Sequence, residues 1–261
     1  MEFIDTHSHN ADPVYDGVRE QVFQRARLAG VSHIIQADTE ESERVAMYAL
    51  VEKYPGFLHP MLGLYPGHVG KNWQEQIDVM LPYLERGPVA IGEIGLDYHE
   101  DNPLKKEQMD AFAAQLEIAS KAGLSVNIHL REATEDFFKV IESCAHLGLR
   151  GNLHAFGGSA QTFKRLSKYG DWYVGMGGVL TFKNASLARE AEDIPLERMV
   201  LETDSPYLSP TPLRGTVNES ANIPLIAAFL AGVKKTSIRK VAEVTTANAK
   251  KLFLSPYFLD K

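Results

Sequence analysis

The sequence predicts one α/β domain folded as a (β/α)8 barrel of the TIM type. Three observations lead there. Eight short apolar runs alternate with longer amphipathic segments along the chain, and such strands pair in parallel because each return needs a crossover. The chain has 261 residues and is 44% hydrophobic, enough for one large core. Five of the apolar runs end in histidine, glutamate or aspartate, at the end where barrel enzymes keep their chemistry. The competing arrangement is an open, doubly wound sheet. No linker, low-complexity segment or repeat divides residues 1–261.

The elements follow in order. Residues 3–9 read as the first strand and 18–29 as a helix, which Gly30 closes as a C′ glycine. A strand at 32–37 precedes a helix at 41–53. The third strand, 58–64, leads to a helix at 73–85. The fourth, 89–95, leads to a long helix at 104–122, closed by Gly123. Strands at 125–130, 151–156 and 172–177 alternate with helices near 132–146, 160–168 and 185–191. The eighth strand, 199–204, opens into a proline-rich loop over 205–215, placed to line an active site. Helices near 222–232 and 237–252 complete the chain.

Bulk properties exclude several function classes. The net charge of −7 argues against a broad, non-specific grip on nucleic acid. A small phosphate-bearing substrate, or a strand end met at a local site, remains compatible. Cys144 is the single cysteine, so no internal disulfide exists and a reducing compartment fits. It reads as a small buried hydrophobe. No basic segment followed by an apolar run opens the chain, and no run of about 18 apolar residues occurs. A cytoplasmic protein with no membrane partner and no disulfide-linked partner is expected. The oligomeric state stays open.

The decisive pattern is where the polar residues fall. His7 and His9 close the first strand, and residues i and i+2 of a strand share a face. Glu93, His129, His154 and Asp204 sit late in the fourth, fifth, sixth and eighth strands. A polar group inside an apolar strand is costly unless it has partners. Six of them converging on one barrel mouth satisfy each other best through cations. Singly, each has a plainer reading: a hydrogen-bonded core histidine, a Glu93–Arg131 ion pair, or Asp204 as a turn cap before Ser205-Pro206. His33 and His59 come near strand beginnings and His146 on a helix, so structural or solvated roles are expected. His68 and His99 lie in loops on the active face.

These residues fall in an ordered set of motifs: Asp5-Thr6-His7-Ser8-His9, Gly92-Glu93-Ile94-Gly95-Leu96-Asp97-Tyr98, Ile128-His129-Leu130-Arg131-Glu132-Ala133, His154-Ala155-Phe156-Gly157-Gly158 and Leu201-Glu202-Thr203-Asp204-Ser205-Pro206-Tyr207. The chain thereby resembles the TatD-family metal-dependent deoxyribonucleases of the amidohydrolase superfamily. The resemblance covers essentially the whole sequence, including the tail Asn248-Ala249-Lys250-Lys251-Leu252-Phe253. It implies a (β/α)8 barrel with two divalent metal ions. One would be held by His7, His9, Glu93 and Asp204, the other by Glu93, His129 and His154, with Glu93 bridging. Zn, Mn or Mg all suit such a mixed donor set.

The implied reaction is phosphodiester hydrolysis, as a DNase acting from single strands or 3′ ends. Paired cations would lower the pKa of a bridging water and offset charge on the phosphate. Asp204 would accept the water's proton, and Arg131 and Arg214 would contact phosphate. Tyr65 and Tyr207 would stack on a base. Two segments depart from the family pattern. Where the family often reads Gly-x-His-Pro-His, this chain has Gly63-Leu64-Tyr65-Pro66-Gly67-His68. Where an Arg-Gly-Lys-Arg-Asn-Glu-Pro loop is common, it has Arg214-Gly215-Thr216-Val217-Asn218-Glu219-Ser220. A histidine pair and two basic residues are thus missing from places where substrate is expected. An amide, lactone or aminoacyl-ester hydrolase is the alternative, and a catalytically silent, metal-stabilised binding protein is the second.

Overall fold

Every apolar run found in the sequence forms a strand in the computed structural model, which describes residues 1–99 and 103–255. The strands are β1 (Phe3–Ser8), β2 (Val31–Gln36), β3 (Leu58–Leu62), β4 (Ala90–Asp97), β5 (Ser125–Arg131), β6 (Arg150–Leu153), β7 (Asp171–Met176) and β8 (Met199–Leu201). They pair in parallel in chain order. Between them run α1 (Arg19–Leu28), α2 (Glu41–Lys53), α3 (Trp73–Met80), α4 (Lys105–Ala122), α5 (Thr134–Ser143), α6 (Ala160–Leu166) and α7 (Leu187–Asp193). After β8 come α8 (Ile223–Val233) and α9 (Ile238–Ala249). The expected (β/α)8 barrel is therefore the fold.

The seam between β1 and β8 closes the barrel and builds part of the site. Asp204 donates its N–H to the His7 carbonyl at 2.9 Å, and His9 donates to the Ser205 carbonyl at 2.7 Å. Thr6 Oγ1 donates to the Leu201 carbonyl at 3.0 Å. Asp5 reinforces the seam from outside the barrel. Its carboxylate accepts from the Thr203 N–H at 2.9 Å, the Thr203 hydroxyl at 2.6 Å and the Ser220 hydroxyl at 2.6 Å. Residues about two hundred positions apart thus meet through main-chain bonds, which places His7, His9 and Asp204 side by side.

Element ends differ from the sequence reading in ways that local chemistry explains. The third helix stops at Met80 rather than residue 85, because Pro82 lacks the donor an α-helix needs. The chain continues as a 3₁₀ turn, Leu81–Arg86. The fifth helix begins at Thr134 rather than 132, because Glu132 adopts φ 54°, outside helical space. β6 and β8 end before His154 and Asp204, and β4 and β5 run on to Asp97 and Arg131. His9, His154 and Asp204 are therefore in the first residues beyond their strands. The last helix gives way to a π-helical turn at Lys250–Leu254.

The barrel interior is layered. Toward the strand beginnings, Ile4, Ile35, Met61, Val200 and Tyr173 pack with Leu252 and Phe253 from the C-terminal turn. A larger apolar layer between strands and helices includes Phe23, Phe112, Phe137 and Trp172. Above the apolar floor the interior turns polar, with Asn127, Asn152 and Glu202 fully buried. Burial at about 25 cal/mol per Å2 of apolar surface holds the frame. The polar layer carries what the frame positions.

Candidate metal centre

The two oxygens of Glu93 face two different sets of imidazoles. Oε1 lies 2.9 Å from His129 Nδ1 and 2.8 Å from His154 Nε2. Oε2 lies 3.4 Å from His7 Nε2 and 3.6 Å from His9 Nε2. Asp204 Oδ1 completes the second set, 3.4 Å from both His7 Nε2 and His9 Nε2. All six side chains expected at the mouth are brought together. Glu93 and His154 are almost completely buried and His7 entirely so.

The donor spacing fits metal ions. His7 and His9 bring their Nε2 atoms to 3.1 Å, and His129 Nδ1 stands 3.1 Å from His154 Nε2. Two nitrogens bound to one tetrahedral zinc stand about 3.3 Å apart, given Zn–N bonds of about 2.0–2.1 Å. The ligating atoms of His7, His9 and Asp204 cluster within 4.8 Å, as do those of His7, Glu93 and His154. His7 adjoins both sets, since its ring stacks on His154 at 3.8 Å between centroids.

Hydrogen bonds behind the imidazoles fix which nitrogen faces the site. His7 Nδ1 lies 2.8 Å from Asn127 Oδ1, so Nδ1 carries the hydrogen and leaves the Nε2 lone pair inward. Asn127 is oriented in turn by donating to Asn152 Oδ1 at 3.0 Å. His129 is turned the other way: its Nε2 lies 2.9 Å from Asp97 Oδ2, so Nδ1 faces Glu93. Asp97 also accepts from the His99 N–H at 2.9 Å and from the Tyr65 hydroxyl at 3.2 Å.

The electrostatics are those of an anionic nest for cations. Burial opposes ionisation of Glu93, but the imidazoles of His154 and His7 outweigh it and hold the carboxyl well below its usual range. Burial opposes a proton on His129, yet Asp97 and Glu93 push it up to about 9. His154, disfavoured by burial and by His7, is pushed down to about 4. Burial raises Asp204 as well, but its bond to His9 and the charge of His7 leave it lowered. Asp97 drops to about 2: burial is overcome by His129 and the His99 N–H. Asp204 holds φ 57°, a left-handed conformation costly for a non-glycine residue. Main-chain bonds on both sides keep it there.

Around the centre opens a cavity of about 900 Å3. Arg131, Tyr65, Tyr207 and His68 line it. Tyr65 packs edge-on against His129 at 5.1 Å, and Tyr207 against His9 at 5.9 Å. Glu93 does not pair with Arg131; the histidines take both its oxygens. Glu132 pairs instead with His99, at 2.6 Å. Arg214 is not among the lining residues: its guanidinium stacks 3.5 Å above the Phe182 ring, a contact a planar cation favours. Sequence reasoning passed over Asp97 and Asn127. Period-two spacing was the available signal, since Asp97 shares a strand face with Glu93, and Asn127 with His129 and Arg131.

A TIM-type barrel with imidazole and carboxylate donors gathered at its mouth defines a metal-dependent hydrolase. The profile described as TatD related DNase matches residues 4–254, and the chain belongs to that family. It is 33% identical over 252 residues to a metal-dependent hydrolase of Bacillus subtilis, YabD, covering 96% of this chain and 98% of that one. A Buchnera aphidicola metal-dependent hydrolase, BU355, is 38% identical over 268 residues, covering 97% and 99%. Among solved structures, the TatD homologue YjjV of Escherichia coli superposes with a TM-score of 0.89 at 30% identity, covering 97% and 98%.

Proposed function

We propose that this metal-dependent hydrolase cleaves phosphodiesters one at a time, at or near the end of a nucleic acid strand. The observation that carries the reading is the division of Glu93: one oxygen toward His129 and His154, the other toward His7, His9 and Asp204. A carboxylate so shared suits two divalent cations about 3.5–4 Å apart, the spacing of two-metal phosphodiester sites. The family description, TatD related DNase, points the same way.

When bound, the ions supply Lewis acidity, which lowers the pKa of a water and offsets charge on the phosphate oxygens. The protein's own groups do the rest. Asp204, held as a carboxylate at neutral pH, accepts the proton released by the attacking water. Asn127 and Asp97 keep His7 and His129 in the tautomers that turn a lone pair inward. Arg131 projects from the same face of β5 as His129, two residues nearer the mouth. It forms no ion pair among the described residues, leaving its fork for a phosphate. Tyr207, 54% exposed at the mouth, offers a ring on which a base can stack.

The test compares release of nitrophenol from bis(p-nitrophenyl) phosphate and from p-nitrophenyl carboxylic esters by zinc- or manganese-loaded protein. Preference for the diester is expected. Preference for the carboxylic esters would transfer the assignment to ester, amide or lactone hydrolysis. Metal-dependent melting without turnover of either would leave a binding protein.

A further inference from the structure

We infer that Glu202 is a positioning residue: it holds the main chain on which His154 stands, and so fixes one half of the metal centre. The inference rests on the two-ion reading of Glu93 and not on the choice of substrate. His7 and His129 each have a side chain behind the ring, Asn127 and Asp97. His154 has none: its Nδ1 is buried and has no hydrogen-bond partner among the described residues. Stacking on His7 sets the plane of the ring. The backbone must supply the rest.

That backbone turns just past the end of β6, and three other parts of the barrel grip it. The His154 N–H donates to the Ile128 carbonyl of β5 at 2.9 Å, and the Phe156 N–H to the Gly175 carbonyl of β7 at 3.2 Å. Between them Ala155 sits at φ 42°, a left-handed conformation uncommon for a residue with a Cβ. Its N–H donates to Glu202 Oε1, which reaches over from just past β8. Glu202 is fully buried, and its other oxygen has no hydrogen-bond partner among the described residues. A residue that only filled space would avoid that cost. The barrel makes room for the carboxyl: a Cβ on Gly175 would stand 2.0 Å from Glu202 Oε2, so only glycine lets it cross β7 toward β6. Asp204, by contrast, is held by its own main-chain bond to His7. Loss of the Glu202 acceptor therefore falls on the His154 side of Glu93.

The experiment measures zinc binding by equilibrium dialysis against a metal buffer. Anomalous diffraction at intermediate free zinc assigns each ion to its Glu93 oxygen. Glu202→Met fills the same room without an acceptor, and Glu202→Gln keeps the acceptor without the charge. Glu202→Met should weaken the ion beside Oε1 by about tenfold or more, the scale for outer partners of ligating histidines, and leave the ion beside Oε2 within about threefold. Glu202→Gln should stay within about threefold of the parent on both sides. Gly175→Ala, which displaces the carboxyl with Glu202 intact, should reproduce Glu202→Met, and carries the test should Glu202→Met fail to fold. Equal losses on both sides, no loss beside Oε1, or Glu202→Gln as weak as Glu202→Met would overturn the inference while the two-ion centre stood. A parent protein that binds zinc on one side of Glu93 only would remove that centre, and the inference with it.

Discussion

Close histidine pairs stand at both ends of the barrel, and two of them behave oppositely. At the mouth, His129 and His154 approach to 3.1 Å; at the strand beginnings, His33 and His59 approach to 3.0 Å. Glu93 lies within 3 Å of both rings of the first pair, and Asp97 backs His129. In the second pair, His33 Nδ1 lies 3.0 Å from the Gly56 carbonyl, and Glu2 acts on His33 through its charge. His129 is accordingly pushed up to about 9 by Asp97 and Glu93 despite burial, whereas burial and His33 push His59 down to about 4. Two imidazoles in contact do not make a metal site. Under the proposed reading, the carboxylate that both mouth rings share is what turns that pair toward a cation.

The sharpest way to break the comparison is to remove that carboxylate. Glu93→Gln should keep the fold, lower bound metal below two ions per chain and cut turnover by at least about a hundredfold, the scale of a lost electrostatic group. Asp204→Asn should cut turnover on a similar scale while the barrel's circular dichroism stays unchanged. Activity within a few-fold of the parent, in metal-loaded protein, would refute either assignment. A chelator should abolish turnover and added zinc, manganese or magnesium should restore it.

A weaker effect is expected one step further out. Asp97→Asn leaves the hydrogen bond to His129 possible but removes the charge that fixes the ring. Metal affinity should fall about 10–100-fold, as for other outer partners of ligating histidines, read by competition with a chromogenic chelator. An unchanged affinity would make Asp97 a packing residue.

The smallest effect belongs to the other end and touches stability alone. His59 has a folded-state pKa of about 4 against an ordinary 6.5. The unfolded chain therefore binds more protons between these values, and stability falls as pH drops through that window. Between pH 7 and pH 5 the loss should be about 2 kcal/mol, measured by denaturant unfolding. His59→Gln should reduce that slope by the same amount and leave metal content and turnover alone. A slope unaffected by the substitution would show that His59 does not titrate this way.

The mouth was legible in the sequence because a charged or imidazole side chain stands out in an apolar strand. Glu93 and His129 interrupt runs of isoleucine, leucine and valine, and a barrel leaves one end for such residues. The partners behind them were harder to see. Asp97 and Asn127 are residue types that also serve turns, and only the strand period separates the two roles. The β1–β8 seam was implied by a closed barrel, but its bonds from Asp5 to Thr203 and Ser220 join distant segments that no local pattern connects. Arg214 lies in a proline-rich loop whose path the sequence does not set, and Phe182 captured it. Glu132 looked like helix and is left-handed, because the chain must turn sharply out of β5.

The most direct measurement is anomalous diffraction from crystals of the zinc- or manganese-loaded protein. Two peaks should flank Glu93, one beside Oε1 among His129 and His154, the other beside Oε2 among His7, His9 and Asp204. No peak there, or a single ion that leaves one Glu93 oxygen uncoordinated, would contradict the shared-carboxylate centre and the chemistry built on it.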